Sequence, residues 1–214
     1  ENADIYADNI KTYEGEKSIS FDIKYYGKKI SIKLNKPGKH NIYNALAAVA
    51  VAREYDIDWE TIKLGLKNLN ISSLRLDIKE NNGLTIINDT YNANPLSMKA
   101  GINVLKDIAN DRSIAVLGDM LELGAQEEKA HYKIGKYVAE KEIDVLITVG
   151  ELAEIIANGA EDGSMDSSNI YRVDNNQEAY KILENITNKN NFILVKGSRK
   201  MKMEEIVDQL MKMN

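Results

Sequence analysis

Residues Asn88 to Pro95, with the sequence NDTYNANP, decide the fold. A short β-rich run at residues 84–87 precedes them, and apolar side chains then recur at helical spacing over residues 96–108. The pattern therefore predicts a polar turn between a strand and a helix, at the carboxyl end of the strand. That end of the strands is where open α/β sheets bind their ligands.

Two residues of this turn specify where the next helix begins. The side-chain oxygen of Asn94 can cap the helix, and Pro95 suits the first helical position, where a missing amide hydrogen costs nothing. Asp89 lies earlier, at the strand end, where a carboxylate can accept hydrogen bonds from ligand hydroxyls or from an ammonium group. The alternative is that Asp89 and the two asparagines only shape the turn.

Composition limits the class of protein. The chain has 214 residues, of which 43% are hydrophobic, so packed cores in one large domain or two small ones are expected. The net charge is −5 and no cluster of Lys and Arg stands out, which argues against a nucleic-acid partner. Cysteine is absent and the two histidines, His40 and His131, are far apart, so no metal site is predicted within the chain.

The sequence also bears on location. It has no run of 18 apolar residues and no basic-then-apolar leader, so we expect a cytoplasmic protein that does not enter the membrane. The chain begins ENADIYADNIK, without an initiator Met and inside a β pattern. We therefore expect it to be a piece of a longer protein.

A β-hairpin is predicted for residues 18–34, where apolar and polar side chains alternate on two successive strands. Gly27-Lys28 fits a two-residue turn with Gly first. An alanine-rich helix over residues 40–55 follows, and Asn41 and Asn44 project from one face of its first turn. A carboxamide matches the N6 and N7 edge of adenine, so this pair is a candidate adenine site. Alternatively, one asparagine caps the helix and the other is a surface residue.

A polar break at residues 68–73 marks the predicted domain boundary, with one domain at residues 1–72 and the other at 73–214. A strand is predicted over residues 74–78, with Arg75 on its polar face. A guanidinium at a domain junction could contact phosphate, although a lone Arg on a polar face is usually only solvated.

From Asp89 onward strands and helices alternate, which predicts a doubly wound α/β domain with one sheet covered on both faces. The strands are predicted at residues 113–117, 144–149, 170–173 and 192–196, and the helices at 95–109, 126–141, 151–158, 175–187 and 201–211. Residues 159–168 are predicted to form a plain surface loop.

Two further turns at strand ends carry charged side chains. GDMLELG at residues 118–124 contains Asp119 and Glu122, and KGSR at residues 196–199 places two cations and a hydroxyl before the last helix. With Asp89, these groups would converge on one rim of the sheet. Such a rim could hold a zwitterion, although each turn taken singly could be a solvated loop.

Together these motifs resemble the carboxyl-terminal part of the Mur ligase family. They are GKHNIYNALAAVAVA at residues 38–52, LRLD at 74–77, NDTYNANP at 88–95, AVLGDMLELG at 115–124 and LVKGSR at 194–199. The resemblance covers nearly the whole chain in the right order. It implies that residues 1–72 are the tail of a central ATPase domain and that residues 73–214 form a Rossmann-like domain.

The resemblance also implies roles for individual residues. Four would bind ATP: Asn41 and Asn44 at the adenine, Arg75 at the phosphates and Asp89 at the ribose hydroxyls. Four others would be candidates for binding an acceptor dipeptide: Asn92, Asn94, Ser198 and Arg199.

The implied reaction is an ATP-dependent amide ligation in peptidoglycan precursor synthesis. ATP, with Mg²⁺, would phosphorylate the terminal carboxylate of UDP-MurNAc-tripeptide, and the amine of D-Ala-D-Ala would attack the acyl phosphate. No G-x-x-x-x-G-K-[ST] phosphate loop occurs in the sequence, so this piece alone is expected to be inactive. The alternatives are a Mur-type amide ligase with another acceptor and a nucleotide-binding α/β module without catalysis.

Overall fold

The structure, a computed structural model, describes residues 3–12, 18–35, 38–68 and 74–213. The chain divides into two compact units, Glu1–Ile71 and Ser72–Asn214, next to the boundary predicted from the sequence. Most of the predicted polar break, residues 69–73, lies outside the described residues. Within the described part of the chain, no helix is both long enough and apolar enough to cross a membrane.

The first unit packs two helices against an antiparallel sheet. Its elements are β1 (Ile5–Thr12), β2 (Ile19–Tyr25), β3 (Lys28–Leu34), α1 (His40–Glu54) and α2 (Trp59–Lys67), and the strand order is β1-β2-β3. The alternating apolar residues of β2 and β3 form one core with Ile42, Val49 and Ile62 from the helices. The predicted hairpin with one buried face is therefore confirmed.

The predicted hairpin turn was wrong by one residue. Tyr25 pairs with Lys28, so the two turn residues are Tyr26 and Gly27 and not Gly27 and Lys28. Both turn residues have positive φ, 43° and 77° respectively. A turn with two positive φ angles matches the right-handed twist of the strands, which explains why Gly stands second.

The second unit is a six-stranded sheet with helices on both faces. Its elements are β4 (Asp77–Asn81), β5 (Leu84–Asn88), α3 (Pro95–Ile108), β6 (Ser113–Gly118), α4 (Glu127–Glu140), β7 (Val145–Val149), α5 (Ala153–Asp162), β8 (Ile170–Val173), α6 (Asn176–Ile186), β9 (Phe192–Lys196) and α7 (Glu204–Leu210). The strand order is β4-β5-β9-β6-β7-β8. All neighbours are parallel except β4, which is antiparallel to β5.

Apolar side chains of the strands point to both faces of this sheet, and helices cover each face. Ile87 belongs to a core that includes residues of α3, α4 and α5, whereas its neighbour Ile86 belongs to a second core with residues of α6 and α7. Successive side chains of a strand point to opposite faces, so both cores are built from the same strands. The predicted doubly wound α/β fold is confirmed.

Two local predictions in this unit were wrong. The strand predicted from residue 74 begins only at Asp77, because Leu76 has a φ of 46°, a left-handed conformation that interrupts a strand. The loop predicted from residue 159 begins later, because α5 continues to Asp162. Gly159 is buried in that helix, and a Cβ atom there would clash with the carbonyl oxygen of Tyr132 in α4. This glycine therefore serves close helix packing and does not end the helix.

Candidate functional site

The sheet order brings the three predicted turns together. β5, β9 and β6 are neighbours, and NDTYNANP, KGSR and GDMLELG leave their carboxyl ends. Because the three strands are parallel, these ends lie at the same edge of the sheet. The edge is therefore the candidate functional site of the second unit.

A buried ion pair lies beneath this edge. Lys196, only 1% exposed, places its Nζ 2.6 Å from Oδ2 of Asp89 and donates to the backbone oxygen of Asn92 at 2.8 Å. Burial lowers the pKa of Lys196, and the charge of Asp89 opposes that shift. Oδ1 of Asp89 accepts the amide hydrogen of Leu76 at 3.2 Å. The pair thus joins the end of β9 to the segment before β4, through Leu76, and to the segment after β5, through Asn92.

Arg75 lies in a turn and not on the polar face of a strand. Its guanidinium carbon is 4.2 Å from the centre of the Tyr91 ring, and Tyr91 donates its amide hydrogen to the carbonyl of Leu74. Stacking on an aromatic ring orients a guanidinium while leaving its N–H groups at the ring edge available. Arg75 is exposed, so it can reach a ligand at this end of the sheet.

A cavity of about 310 Å³ opens among the three turns. It is lined by Tyr91, Asn92, Leu121, Glu122, Ser198, Arg199 and Lys200. Its charged groups are of both signs, a carboxylate on one loop and two cations on another. Three of the four predicted acceptor residues, Asn92, Ser198 and Arg199, line this cavity.

The fourth, Asn94, has a different local role. Its Oδ1 accepts the amide hydrogen of Ser97 at 2.9 Å, and the hydroxyl of Ser97 accepts the amide hydrogen of Asn94 at 3.0 Å. This reciprocal pair is a capping box at the start of α3. The prediction that Asn94 and Pro95 begin the helix is confirmed, and Asn94 is not part of the cavity lining.

Asp119 is buried and does not line the cavity. Its Oδ1 accepts the amide hydrogen of Ala153 at 2.7 Å, at the start of α5, and burial raises the pKa of its carboxyl group. Gly150, with a φ of 104°, passes so close that a Cβ atom there would lie 2.8 Å from the same oxygen. Of the two acidic residues in this loop, only Glu122 lines the cavity.

The two candidate adenine residues differ in exposure. Asn41 is buried, at 3% exposed, whereas Asn44 is exposed. The residue at the N-cap of α1 is Lys39, so neither asparagine is the cap. The alternative in which one of them caps the helix is therefore wrong.

The role of Lys196 was missed in the sequence. It ends an apolar strand, where a cation is usually taken for the first solvated residue of the next turn. Its partner is 107 positions away, and no local pattern reveals that pairing. The available signal was the occurrence of Asp89 and Lys196 at the ends of two predicted parallel strands.

Comparison with known proteins gives two family matches and a set of relatives. The model of the Mur ligase, glutamate ligase domain matches residues 74–199, and that of the Mur ligase middle domain matches residues 1–52. UDP-N-acetylmuramoyl-tripeptide--D-alanyl-D-alanine ligase of Bacillus subtilis is 39% identical over 81% of this chain and 38% of its own length. The proteins of that name from Buchnera aphidicola and Escherichia coli are 38% and 35% identical, over 99% and 85% of this chain and 44% and 39% of their own lengths.

Solved structures share this fold. MurF from Acinetobacter baumannii superposes with a TM-score of 0.88 at 31% identity, covering 100% of this chain and 46% of that one. MurF ligase from Thermotoga maritima, solved in complex with ADP, shares the fold with a TM-score of 0.81 at 23% identity, over 99% of this chain and 47% of that one. This chain therefore spans less than half the length of these relatives. Because a family model covers more than half of its residues, the chain belongs to the Mur ligase family.

Proposed function

We propose that this chain is part of an ATP-dependent amide ligase that adds D-Ala-D-Ala to UDP-MurNAc-tripeptide through an acyl phosphate. The observation that carries the proposal is the shared name of relatives that are 35% to 39% identical over most of this chain. A cavity of suitable chemistry supports it. The three turns that line this cavity are the same motifs that carry the family resemblance.

The proposed acceptor site is the cavity between the three turns. A dipeptide with free ends is a zwitterion, and the cavity offers Arg199 and Lys200 for its carboxylate and Glu122 for its ammonium group. Asn92 and Ser198 supply uncharged polar groups between these charges. Fixed charges of this kind orient the amine toward the acyl phosphate and stabilise the charge that develops when it attacks.

The proposed ATP contacts fall into exposed and buried residues. Asn44 and Arg75 are exposed, so we propose that their side chains contact the adenine and the phosphates directly. Asn41 and Asp89 are buried, at 3% and 7% exposed. For Asp89, holding the Arg75-Leu76 turn through the amide of Leu76 is the contribution that the observed contact supports.

The described residues offer no binding site for Mg²⁺ made of three or more ligating side chains. Among them, no group of three or more His, Cys, Asp or Glu side chains is placed to hold a metal ion. We propose that Mg²⁺ enters with ATP and is held mainly by the part of the ligase that this chain does not span. The phosphate-loop motif does not occur in the sequence, so we propose that the 214-residue chain alone does not catalyse ligation.

The test is a ligation assay with the full-length protein that contains this chain. ATP, UDP-MurNAc-tripeptide and D-Ala-D-Ala should together give the amide product and one phosphate per bond formed, and omission of any one should abolish both. Single amino acids in place of the dipeptide distinguish the alternative, a Mur-type ligase with another acceptor. Binding of ATP without turnover under any of these conditions would instead favour a nucleotide-binding module.

A matched pair of arginine variants tests the acceptor site. Arg199→Ala in the full-length protein should raise the KM for D-Ala-D-Ala about tenfold or more, because a hydrogen-bonded charge is lost from the cavity. Arg199 pairs with Glu204 at 2.8 Å. Arg172→Ala is the control, since Arg172 likewise pairs with a glutamate, Glu161 at 2.9 Å, but does not line the cavity. Equal KM values for D-Ala-D-Ala in the two variants would show that Arg199 does not bind the dipeptide.

A further inference from the structure

The histidine of α4 contacts the loop that forms one wall of the cavity. His131 is fully buried, at 0% exposed, and its Nε2 accepts the amide hydrogen of Met120 at 2.9 Å. Its other ring nitrogen, Nδ1, is 2.7 Å from the carbonyl oxygen of Glu127. Neither His131 nor Met120 is part of the cavity lining, so any influence of this histidine on a ligand passes through the loop.

These two contacts define the protonation of the ring. A carbonyl oxygen can only accept, so Nδ1 must carry the hydrogen that is donated to Glu127. An amide can only donate, so Nε2 must present a lone pair to Met120. The environment therefore requires the neutral ring with its hydrogen on Nδ1.

The same loop is also held by the KGSR turn. The amide of Leu121, next to that of Met120, donates to Oγ of Ser198 at 2.8 Å. The amide of Ser198 in turn donates to the carbonyl oxygen of Asp119 at 2.9 Å. Two successive amides of the loop are thus fixed by side chains from two different elements.

The loop needs this support because of its backbone. Glu122 follows directly and has a φ of 66°, a conformation that L-residues other than Asn and Asp seldom adopt. Such a conformation persists where the surrounding contacts hold it. Leu121 and Glu122 both line the cavity, so the hydrogen bonds to residues 120 and 121 set where this wall lies.

We propose that His131 is a positioning residue for the acceptor cavity, and that it acts by holding the amide of Met120 so that Leu121 and Glu122 face the acceptor. The part that concerns the acceptor rests on the function proposed above. The tie between His131 and the loop rests on the contacts of the chain itself.

Two substitutions of similar size separate the lone pair from the bulk of the ring. In His131→Gln the side-chain oxygen can take the place of Nε2 and accept from Met120. In His131→Asn the amide nitrogen can take the place of Nδ1 and donate to Glu127, but no acceptor reaches Met120. Both variants lose ring packing, so a difference between them reports the hydrogen bond and not the packing.

The first measurement uses the 214-residue chain and needs no activity. Nitrogen chemical shifts of the wild-type ring should show a hydrogen on Nδ1 and none on Nε2, and hydrogen exchange of the Met120 amide should be about tenfold faster in His131→Asn than in His131→Gln. A hydrogen on Nε2, or equal exchange in the two variants, would overturn the tie. The nitrogen shifts remain decisive if a variant does not fold.

The second measurement uses the full-length ligase. His131→Asn should raise the KM for D-Ala-D-Ala about tenfold with the KM for ATP unchanged, and His131→Gln should restore most of the loss. A purely structural role would instead lower the melting temperature of both variants and leave the KM for the dipeptide at the wild-type value. If the wild-type ligase does not use D-Ala-D-Ala at all, the proposed function fails, while the exchange measurement still decides whether His131 holds the loop.

Discussion

Each unit contains an aspartate–lysine pair, and the two pairs differ in their surroundings. In the hairpin of the first unit, Lys29 lies 2.9 Å from Asp22 with 52% of its side chain exposed. In the second unit, Lys196 lies 2.6 Å from Asp89 with 1% exposed. The aspartate is buried in both pairs, at 7% exposed, so the two pairs differ in the lysine, which is exposed in the first unit and buried beneath the candidate site in the second.

The two carboxylates are satisfied in different ways. Asp22 also accepts hydrogen bonds from Ser31 and Asn9, both at 2.6 Å, and these bonds, together with the contact to Lys29, hold its pKa well below the ordinary value. In the second unit Lys196 is the buried cation that faces Asp89, and burial lowers its pKa. Water reaches Lys29 but not Lys196. Loss of the buried lysine should therefore cost more stability than loss of the exposed one.

Removal of the two lysines should therefore have unequal effects, and this is the largest difference we expect. Lys196→Met removes the buried cation that pairs with the carboxylate of Asp89, which should lower the free energy of unfolding of the second unit by about 3–5 kcal/mol. Hydrogen exchange of the β9 amides measures this loss. Lys29→Met, the control, should lower the free energy of unfolding of the first unit by less than about 1 kcal/mol.

The fluorescence of Trp59 measures the control, because Trp59 is the only tryptophan and packs against the core of the first unit. Losses of equal size in the two units would contradict the comparison. They would mean that water reaches Asp89 once the lysine is removed.

The buried pair also shows what a sequence can and cannot reveal. Asn94 and Pro95 mark a helix start through their own local chemistry, and β8 and β9 were predicted with their observed ends. The conformation of Leu76 was not predicted, because its amide is held by a carboxylate 13 residues further on. The sequence shows propensities over a few residues, whereas the contacts that shape this site join residues that are close only after folding.

Glycines gave a second kind of error. The sequence predicts a surface loop from residue 159, yet Gly159 lies inside α5, where α4 comes too close for any side chain. The turn at Tyr26-Gly27 was displaced by one position because either residue pair fits a two-residue loop. The turn with two positive φ angles, at Tyr26 and Gly27, selects the observed register.

Within the turn that Lys196 holds, two asparagines should separate stability from binding. Asn94→Ala removes the cap of α3 and should lower the free energy of unfolding of the second unit by about 1 kcal/mol, with the KM for D-Ala-D-Ala unchanged. Asn92→Ala should do the reverse, raising that KM several-fold and changing stability by less than about 0.5 kcal/mol. Urea denaturation and initial-rate kinetics of the full-length protein measure the two quantities. A rise in the KM for D-Ala-D-Ala in Asn94→Ala would instead indicate that Asn94 belongs to the acceptor site.

Acid should affect the two units in opposite directions, and this is the smallest effect we expect. Because the folded-state pKa of Asp22 lies below 3.8, its stabilisation of the first unit is complete above pH 3.8 and is lost as the pH falls further. Asp119 in the second unit has a pKa raised above 3.8 by burial, so its destabilising effect grows as the pH rises through that range and disappears in acid.

Two neutral variants isolate these contributions. The difference in unfolding midpoint between the wild type and Asp22→Asn, followed by Trp59 fluorescence, should shrink as the pH is lowered from about 5 to about 3. For Asp119→Asn, hydrogen exchange of the β9 amides should show that the variant is more stable than the wild type, by an amount that is largest at about pH 5 and declines toward about pH 3. The stability of the variant minus that of the wild type should therefore rise in acid for Asp22→Asn and fall in acid for Asp119→Asn. A change in the same direction for both variants would contradict the assignment.

The position of β9 has a consequence for biosynthesis. It is the last strand of the sheet to be made, yet it lies between β5 and β6, which are made much earlier. Until residues 192–196 leave the ribosome, those two strands have no shared neighbour and each exposes unpaired backbone groups. The second unit therefore completes its sheet only after residues 192–196 have been made, and until then the facing edges of β5 and β6 are open to non-native pairing.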